Sequence, residues 1–284
     1  MQTISRLDTL RHAVTSLKSG GKTLALVPTM GALHEGHLTL VRTARRHADA
    51  VAVSIFVNPR QFGPNEDFDA YPRRLEADAA LLAAEGVDIV WAPSPAEVYP
   101  AGFATSVSVS GLDAVLCGAA RPGHFDGVAT VVTKLFNQVQ PDVALFGEKD
   151  WQQLTIIRRM ARDLDLTSPR ADAILGVPTV READGLAMSS RNQYLNPEER
   201  AAAVALPRAI AAAVTALKGG TPAAQAMADL SAALLAGGFS RVDYAELRDA
   251  TTLDLLDAPG EAPARVLVAA HIGKARLIDN APVI

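Results

Sequence analysis

The stretch from Leu24 to Val41 constrains the fold of this chain more than any other. Its first four residues are apolar and end at Pro28, which predicts a buried strand. A glycine-bearing turn follows, and apolar residues then recur at helical spacing. The start of a helix exposes unpaired backbone N–H groups and partial positive charge. A strand, a turn and a helix start in this order therefore predict an α/β unit with a place for a phosphate group.

Two histidines, His34 and His37, lie in the first turn of the predicted helix. Residues three apart share one face of a helix, and their rings can donate hydrogen bonds to phosphate oxygens that gain charge during a reaction. Gly36 removes the side chain that would keep a ligand from the backbone. The pair could instead be ordinary surface histidines or zinc ligands, but one cysteine in the whole chain makes a poor zinc ligand set.

Composition narrows the class of protein. The 284 residues suffice for one large or two modest domains, and 49% hydrophobic with 20% charged residues is typical of a globular protein. The net charge of −4 provides no positive surface for RNA or DNA, so we expect no nucleic-acid partner. We identify no apolar stretch near the roughly 20 residues that span a bilayer, and we expect no membrane association.

The N-terminal residues and the cysteine content predict a location. Arg6, Asp8 and Arg11 interrupt the N-terminal stretch with charge, unlike a secretory signal. Cys117 is the only cysteine and has no partner for an intrachain disulfide, which fits a reducing compartment. We therefore expect a cytoplasmic protein.

Strand and helix patterns alternate along the first 180 residues, which predicts a parallel sheet with right-handed crossovers. The predicted fold class is α/β, with a Rossmann-like parallel-sheet domain over residues 1–180. Alanine-rich helices and then two or three short strands predict a smaller C-terminal α+β domain over residues 181–284. The turn-rich residues 121–127 precede a predicted helix over 128–139. The predicted strands are 24–27, 50–57, 87–92, 105–109 at an edge, 143–146, 171–177, 242–247, 265–271 and 275–278.

Four polar clusters follow predicted strands or lie near the end of one. They are HEGH (34–37), NPRQFGP (58–64), GEKD (147–150) and MSSR (188–191). Open α/β sheets bind ligands at the carboxyl ends of their strands. The clusters supply imidazoles, a lysine, an arginine, hydroxyls and helix starts, which suit a triphosphate better than an acid–base hydrolysis. The chain lacks the P-loop pattern G-x-x-x-x-G-K-[ST] and a G-x-G-x-x-G after its first predicted strand.

These motifs also carry a family resemblance. PTMGALHEGH, SIFVNPRQFGPNEDFDAYPR, GEKDWQQL and DGLAMSSRNQYL occur in this order and closely resemble the pantoate–β-alanine ligase (pantothenate synthetase) family. The match covers most of residues 1–195, and the last hundred residues match in character only. HEGH looks like the HIGH box, and MSSR like the KMSKS-type loop, of the wider adenylyl-transferring superfamily.

The resemblance implies ATP-dependent amide formation in two steps. Pantoate's carboxylate attacks the α-phosphate of ATP to give pantoyl-adenylate and pyrophosphate, and the amine of β-alanine then displaces AMP to give pantothenate. It also implies a homodimer joined through the N-terminal domain. Mg²⁺ would be held mainly through ATP oxygens rather than by a protein site of its own.

The resemblance further implies residue roles. His37 resembles the proton donor, and His34, Lys149 and Arg191 join it as catalytic residues. Asn58 and Tyr71 would shape the pantoate pocket and its lid, and Gln61 and Gln153 would hold pantoate through their amides. The implied ATP contacts are Met30, Gly31, His34, His37, Gly147, Lys149, Asp150, Val180, Met188, Ser189, Ser190 and Arg191.

The chain departs from the family pattern at two places, and two rival functions remain open at this point. Arg60 and Trp151 stand where the family often has other residues, and residues 166–173 are longer than usual, which affects the register of Val180. One rival is a nucleotidyl transferase of the same superfamily that stops at the nucleotidyl product. It does not need Gln61, Gln153 and NPRQFGP. The other rival is a tRNA-handling module, which the acidic charge balance disfavours.

Overall fold

The computed structural model describes residues 1–64 and 66–283 and divides into two units. The first unit comprises residues 1–148 and 153–178, and the second comprises residues 149–152 and the chain from Thr179 onward. The first unit is built on a six-stranded parallel sheet with the strand order β1-β4-β3-β2-β5-β6. Its strands are β1 (Gln2–Ile4), β2 (Leu24–Thr29), β3 (Ala50–Ile55), β4 (Ile89–Trp91), β5 (Val143–Gly147) and β6 (Ile174–Val177).

Helices connect these strands, as expected for parallel neighbours. They pack the apolar faces of β2, β3 and β5 into a core of aliphatic side chains such as Val27, Val41 and Leu145. The helices are α1 (Leu7–Lys18), α2 (Glu35–His47), α3 (Leu75–Ala84), α4 (Pro95–Val98), α5 (Cys117–Ala120), α6 (His124–Val139) and α7 (Trp151–Asp163).

The direction of the strand order reverses between β2 and β5. The chain runs outward from β2 to β3 and β4 and then returns to place β5 and β6 on the other side of β2. Leu26 lies opposite Ala144, so Thr29 and Gly147 end their strands side by side. Open α/β sheets bind ligands outside the carboxyl ends of strands at such a switch point. The topology therefore places the starts of HEGH and GEKD at one edge of the sheet.

The central strand β2 is buried on both faces. Leu24, Leu26 and Val27 are completely inaccessible to solvent, as expected for the middle of a parallel sheet. The strand continues through Pro28, which the sequence analysis placed at its end, to Thr29. Proline has no N–H for the ladder, and the Thr29 hydroxyl donates to the Ser54 carbonyl at 2.7 Å. A side chain thus ties the end of the strand to its neighbour.

The predicted fold class is confirmed, but two local expectations were wrong and one short strand was not predicted. The short edge strand β1 was missed, and residues 105–109 do not form a strand. In that segment the Val107 N–H donates to the Thr130 hydroxyl at 2.9 Å, so a side chain takes the bond that a neighbouring strand would need. Helix α6 begins at His124, inside the predicted turn, because its first residues pack on residues 58–61.

The second unit is a three-stranded antiparallel sheet with the order β7-β8-β9, covered by helices. Gly273 and Lys274 form the hairpin turn between its last two strands. Buried aliphatic side chains of two helices pack against the sheet. Its elements are α8 (Pro197–Ala202), α9 (Ala205–Lys218), α10 (Ala223–Ala236), β7 (Arg241–Asp249), β8 (Ala264–Ile272) and β9 (Ala275–Val283).

One apolar stretch is longer than the sequence analysis allowed. By length and composition alone, the 22-residue segment Pro197–Lys218 could cross a membrane. The expectation that no stretch approaches that length was wrong. A turn at residues 203–204 separates α8 from α9. Leu206, Ile210 and Leu217 of α9 are buried in the core of the second unit, so this apolar face packs inside the unit.

The close approach of α6 to residues 58–61 is testable through Gly127. A Cβ at Gly127 would lie 2.2 Å from the Arg60 carbonyl oxygen, so we expect Gly127→Ala to lower the free energy of unfolding by about 1–3 kcal/mol. At a position with space, this substitution in a helix normally stabilises by roughly 0.5–1 kcal/mol. Gly147→Ala is the control, because a Cβ there meets nothing within 4 Å. Urea unfolding in which Gly127→Ala matches the control would contradict this packing.

Candidate active site

The turn between β2 and α2 is held by a carboxylate from a distant helix. Gly31 and Ala32 both have positive φ angles, 83° and 51°. Asp78 of α3 is 3% exposed and accepts hydrogen bonds from the backbone N–H groups of Ala32 and Leu33, both at 2.9 Å. A Cβ at Gly31 would lie 3.0 Å from the same carboxylate, so glycine lets Asp78 approach. The sequence analysis did not identify Asp78.

The two histidines cap the helix that this turn introduces. The His34 Nδ1 accepts from the Gly36 N–H at 3.2 Å, and the His37 Nδ1 accepts from the His34 N–H at 3.3 Å. The ring centroids are 4.1 Å apart. A neutral imidazole whose Nδ1 accepts carries its proton on Nε2. Both rings therefore present Nε2–H groups as donors, which is the form that can serve a phosphate oxygen.

A second group of polar side chains lies beside this turn. The Asn58 Nδ2 donates to the Gln61 Oε1 and to the Gly127 carbonyl, both at 3.0 Å. The Gln61 Nε2 in turn lies 3.0 Å from the Met30 sulfur. Sulfur is a weak acceptor, so an oxygen of a bound ligand could replace it. The structure thus brings the NPRQ segment against the turn of HEGH and fixes the direction of the Gln61 amide.

Asn58 itself is completely buried. Its Oδ1 accepts from the Tyr99 hydroxyl at 2.8 Å and from the Arg60 N–H at 3.3 Å. Burial raises the pKa of Tyr99 to about 12, against the opposing charge of Arg60, so the hydroxyl keeps its proton at neutral pH and donates. These contacts give Asn58 the geometry of a residue that orients Gln61. The sequence analysis did not identify Tyr99.

The start of α6 holds the backbone of Gln61. The His124 Nδ1 lies 2.8 Å from the Gln61 carbonyl oxygen, and Arg121 donates to the same oxygen at 3.3 Å. Arg121 also forms a two-pronged ion pair with Glu66 at 2.5 and 2.6 Å. Burial raises the pKa of Glu66, but the hydrogen bond and charge of Arg121 outweigh it and lower the pKa overall. The turn-rich residues 121–127 therefore anchor the site loop.

The other predicted residues of the first unit lie at or beside the sheet edge. Gly147 ends β5 beside the end of β2. Gln153 is half-buried in the first turn of α7. Tyr71 is 5% exposed, and its ring lies 6.0 Å from that of Phe62 in the loop that follows β3.

The remaining predicted residues belong to the second unit. The Lys149 side chain is 19% exposed, with its Nζ 3.8 Å from Asp150. Residues 181–187 form a short hairpin in which the Val180 carbonyl accepts from the Met188 N–H at 3.0 Å. The Ser189 Oγ accepts from the Arg191 N–H at 3.2 Å and caps the 3₁₀ helix Ser190–Tyr194. The MSSR segment thus has a defined backbone with Ser189, Ser190 and Arg191 in its tightest turn.

Comparison with known proteins decides the family. The sequence profile described as Pantoate-beta-alanine ligase matches residues 2–282. The chain belongs to the pantoate–β-alanine ligase family. A pantothenate synthetase of Novosphingobium aromaticivorans is 68% identical over 99% of this chain and 98% of its own length. That of Sphingopyxis alaskensis is 61% identical over the whole of both chains.

Solved structures agree with this assignment. The pantothenate synthetase of Thermus thermophilus has a TM-score of 0.92 and 50% identity, covering 100% of this chain and 99% of its own. A pantoate-beta-alanine ligase of Francisella tularensis, described as complexed with beta-gamma ATP and beta-alanine, has a TM-score of 0.82 and 32% identity. It covers 99% of this chain and 97% of its own. The resemblance read from the four motifs is thereby confirmed.

The Tyr99–Asn58–Gln61 contacts generate a prediction for the ligase. Tyr99→Phe removes the donor that fixes the Asn58 amide, so we expect the KM for pantoate to rise about 3–10-fold, the value of one hydrogen bond. The KM for ATP should stay within about twofold. Tyr244→Phe, on β7 of the second unit, is the control and should change neither constant. Steady-state kinetics with each substrate varied in turn test this; an equal rise in both constants for Tyr99→Phe would contradict it.

Proposed function

We propose that the ligase condenses pantoate with β-alanine in two steps through a pantoyl-adenylate. In the first step, a carboxylate oxygen of pantoate attacks the α-phosphorus of ATP and pyrophosphate leaves. In the second, the neutral amine of β-alanine attacks the acyl carbon, the bond to AMP breaks, and the amine loses its proton as the amide forms. The observation that carries the proposal is the pair of capped histidines beside Gln61 and Met30 at the sheet edge.

The chemical difficulty is that both partners of the first step are anions. A carboxylate and a triphosphate repel one another, and each well-placed donor for the developing charge contributes about 3–4 kcal/mol. The helix start of α2 and the Nε2–H groups of His34 and His37 supply such donors. We assign further phosphate contacts to Lys149, Ser189, Ser190 and Arg191. Holding the two reactants in position can account for roughly 7–11 kcal/mol more of the barrier.

The remaining roles follow the family motif residue by residue. Gln61 and Gln153 bind the hydroxyls and carboxylate of pantoate, and Tyr71 closes the pocket. Asn58 acts by orienting Gln61. We assign nucleotide contacts to Met30 and Gly31 at the turn, to Gly147 and Asp150 for the nucleoside, and to Val180 and Met188 for the base.

Mg²⁺ belongs to the proposal as the partner of ATP. Among residues 1–64 and 66–283, no group of three or more His, Cys, Asp or Glu side chains could hold a metal ion. Mg²⁺ usually keeps several waters and binds through substrate phosphates with few protein ligands, so this residue set fits an ion carried by ATP. When bound, it would neutralise phosphate charge. We assign it no protein ligand.

We also propose a cytoplasmic homodimer joined through the N-terminal domain. Cys117, the one cysteine of the sequence, is buried, which fits a reducing compartment. Light scattering on the purified protein at several concentrations tests the assembly: twice the mass of the 29.9 kDa chain is expected, and the mass of one chain would contradict it.

The reaction itself has a direct test. Incubation with ATP, Mg²⁺, pantoate and β-alanine should yield AMP and pantothenate in equal amounts, with no AMP released continuously when β-alanine is omitted. A nucleotidyl transferase that stops at its nucleotidyl product would release pyrophosphate without forming an amide. That result would contradict the proposed function.

The proposed role of His37 as a hydrogen-bond donor to phosphate can be tested separately from its role as a helix cap. Asparagine can accept from the His34 N–H where the imidazole Nδ1 does, but it lacks the Nε2 donor. We expect His37→Ala and His37→Asn both to slow exchange of pyrophosphate into ATP by on the order of 10²–10³. His37→Ala should also lose roughly 1 kcal/mol of stability as a missing cap, while His37→Asn should keep it. Wild-type exchange in His37→Asn would contradict the donor role.

Gln61 should affect one substrate more than the other. Gln61→Ala should raise the KM for pantoate about 10–100-fold, the cost of an unmet polar contact to a charged group. Gln61→Glu keeps the acceptor for Asn58 but sets a carboxylate against the pantoate anion, so an equal or larger effect is expected. If either variant raised the KM for ATP as much as that for pantoate, the assignment would be wrong.

A further inference from the structure

Two neighbouring residues of β9, Asp279 and Asn280, are polar and almost completely buried, at 2% and 4% exposure. Polar groups in a core cost free energy unless their hydrogen bonds are met. Neither residue belongs to a motif of the sequence analysis, and no role has been assigned to them above. Their partners lie in the segment that carries Lys149 and in the hairpin that precedes MSSR.

Asp279 holds the start of the hairpin that leads to MSSR. Its carboxylate accepts from both terminal nitrogens of Arg181, at 2.7 and 2.9 Å. The same guanidinium donates to the Gly185 carbonyl at 3.0 Å, across the hairpin. A two-pronged contact of this kind fixes direction as well as distance. Arg181 therefore fastens the first residue of the hairpin to β9 and also holds the turn of the hairpin closed.

Asn280 holds the segment that carries Lys149. Its Nδ2 donates to the Lys149 carbonyl at 2.9 Å, and its Oδ1 accepts from Arg265. The Arg265 guanidinium lies 3.6 Å from the ring centroid of Trp151. The Trp151 Nε1 donates to the Ala250 carbonyl at 2.8 Å. The backbone of Lys149 and the ring two residues later are thus both fixed to the antiparallel sheet.

We propose that Asp279 and Asn280 are positioning residues for the adenylation step. Through one point on β9 they fix the backbone of Lys149 relative to the hairpin before Ser189 and Arg191, so that the cations and hydroxyls assigned to the triphosphate keep one mutual geometry. They act through those residues and contact no substrate. A displacement of a catalytic group by about 1 Å can lower the rate on the order of 10²-fold, so this connection through β9 matters to the chemistry. This inference rests on the proposed function.

The two half-reactions separate positioning from stability. In Asn280→Ala and Asp279→Asn we expect pantoate-dependent exchange of pyrophosphate into ATP to fall about 10–100-fold. The KM for pantoate should stay within about twofold, because its assigned ligands lie in the first unit. Conversion of separately supplied pantoyl-adenylate and β-alanine to pantothenate should also stay within about twofold. An equal loss in both half-reactions would overturn the proposal, because it would indicate only a less stable fold.

A double-mutant cycle tests whether Asn280 acts through Lys149. If it does, adding Asn280→Ala to Lys149→Ala should slow exchange by less than about twofold, since the group that it positions is already absent. If the two losses multiply, Asn280 does not act through Lys149 and the proposal is wrong. Exchange at high enzyme concentration with radiolabelled pyrophosphate keeps the slow variants measurable.

Asp243→Asn is the matched control. Asp243 lies on β7 of the same sheet, accepts from Arg276 at 2.7 Å and contacts His271 at 3.0 Å, and these two partners belong to neither segment. The substitution should lower the melting temperature without slowing exchange. If it slows exchange as much as Asp279→Asn does, the proposal fails. If Asp279→Asn does not fold, Arg181→Lys is tested in its place. That substitution keeps the positive charge but loses the two-pronged contact to the Asp279 carboxylate. A wild-type protein that forms no AMP would instead refute the proposed function.

Discussion

The direction of two imidazole rings is the constraint on which the site depends. Both His34 and His37 give their Nδ1 atoms to backbone N–H groups at the start of α2, so each ring is left with Nε2–H as its donor. In the proposed function, the side chains that cap the helix are also the ones that bind phosphate. Both rings also lie at the positive end of the helix dipole, which favours an anion. His34 and His37 thus contribute both to the stability of α2 and to the proposed chemistry.

The turn before α2 is itself held by groups that come from elsewhere in the chain. Asp78 fixes the backbone before His34, and Tyr99 fixes Asn58, which fixes Gln61. Asp78 and Asn58 are buried, so leaving either polar group without its bond would cost more than the bond gains. The amide of Gln61 therefore has one preferred direction before any ligand arrives. Preorganisation of this kind is what a reaction between two anions requires.

The sequence predicted the position of functional residues where those residues lie next to a strand along the chain. HEGH follows β2 after a short turn and GEKD begins at the end of β5, so the alternation of elements was enough to place the starts of both at the carboxyl edge of a parallel sheet. The order of the strands, with β2 and β5 adjacent, explains why the strand ends that lead into these two motifs lie side by side. The α+β character of the last hundred residues also followed from their pattern.

The sequence was uninformative where a side chain acts on a distant backbone. Asp78 reads as an ordinary helical residue, and nothing local marks Tyr99 or His124 as a partner of residues 58–61. The false edge strand at 105–109 has the same cause, since the Thr130 hydroxyl takes a backbone N–H that periodicity assigns to a ladder. Asp279 and Asn280 lie just after the last predicted strand, 275–278, and only their burial reveals the connection they form.

The most direct test of this account is the tautomer of the two histidines. Two-bond ¹H–¹⁵N NMR correlations of the imidazoles, assigned with His34→Gln and His37→Gln variants, report which nitrogen carries the proton. The account predicts the Nε2–H tautomer for both rings in the free protein, retained when a non-hydrolysable ATP analogue binds. A Nδ1–H tautomer at either ring would contradict it, because that nitrogen could not then accept the backbone hydrogen bond that aims the ring.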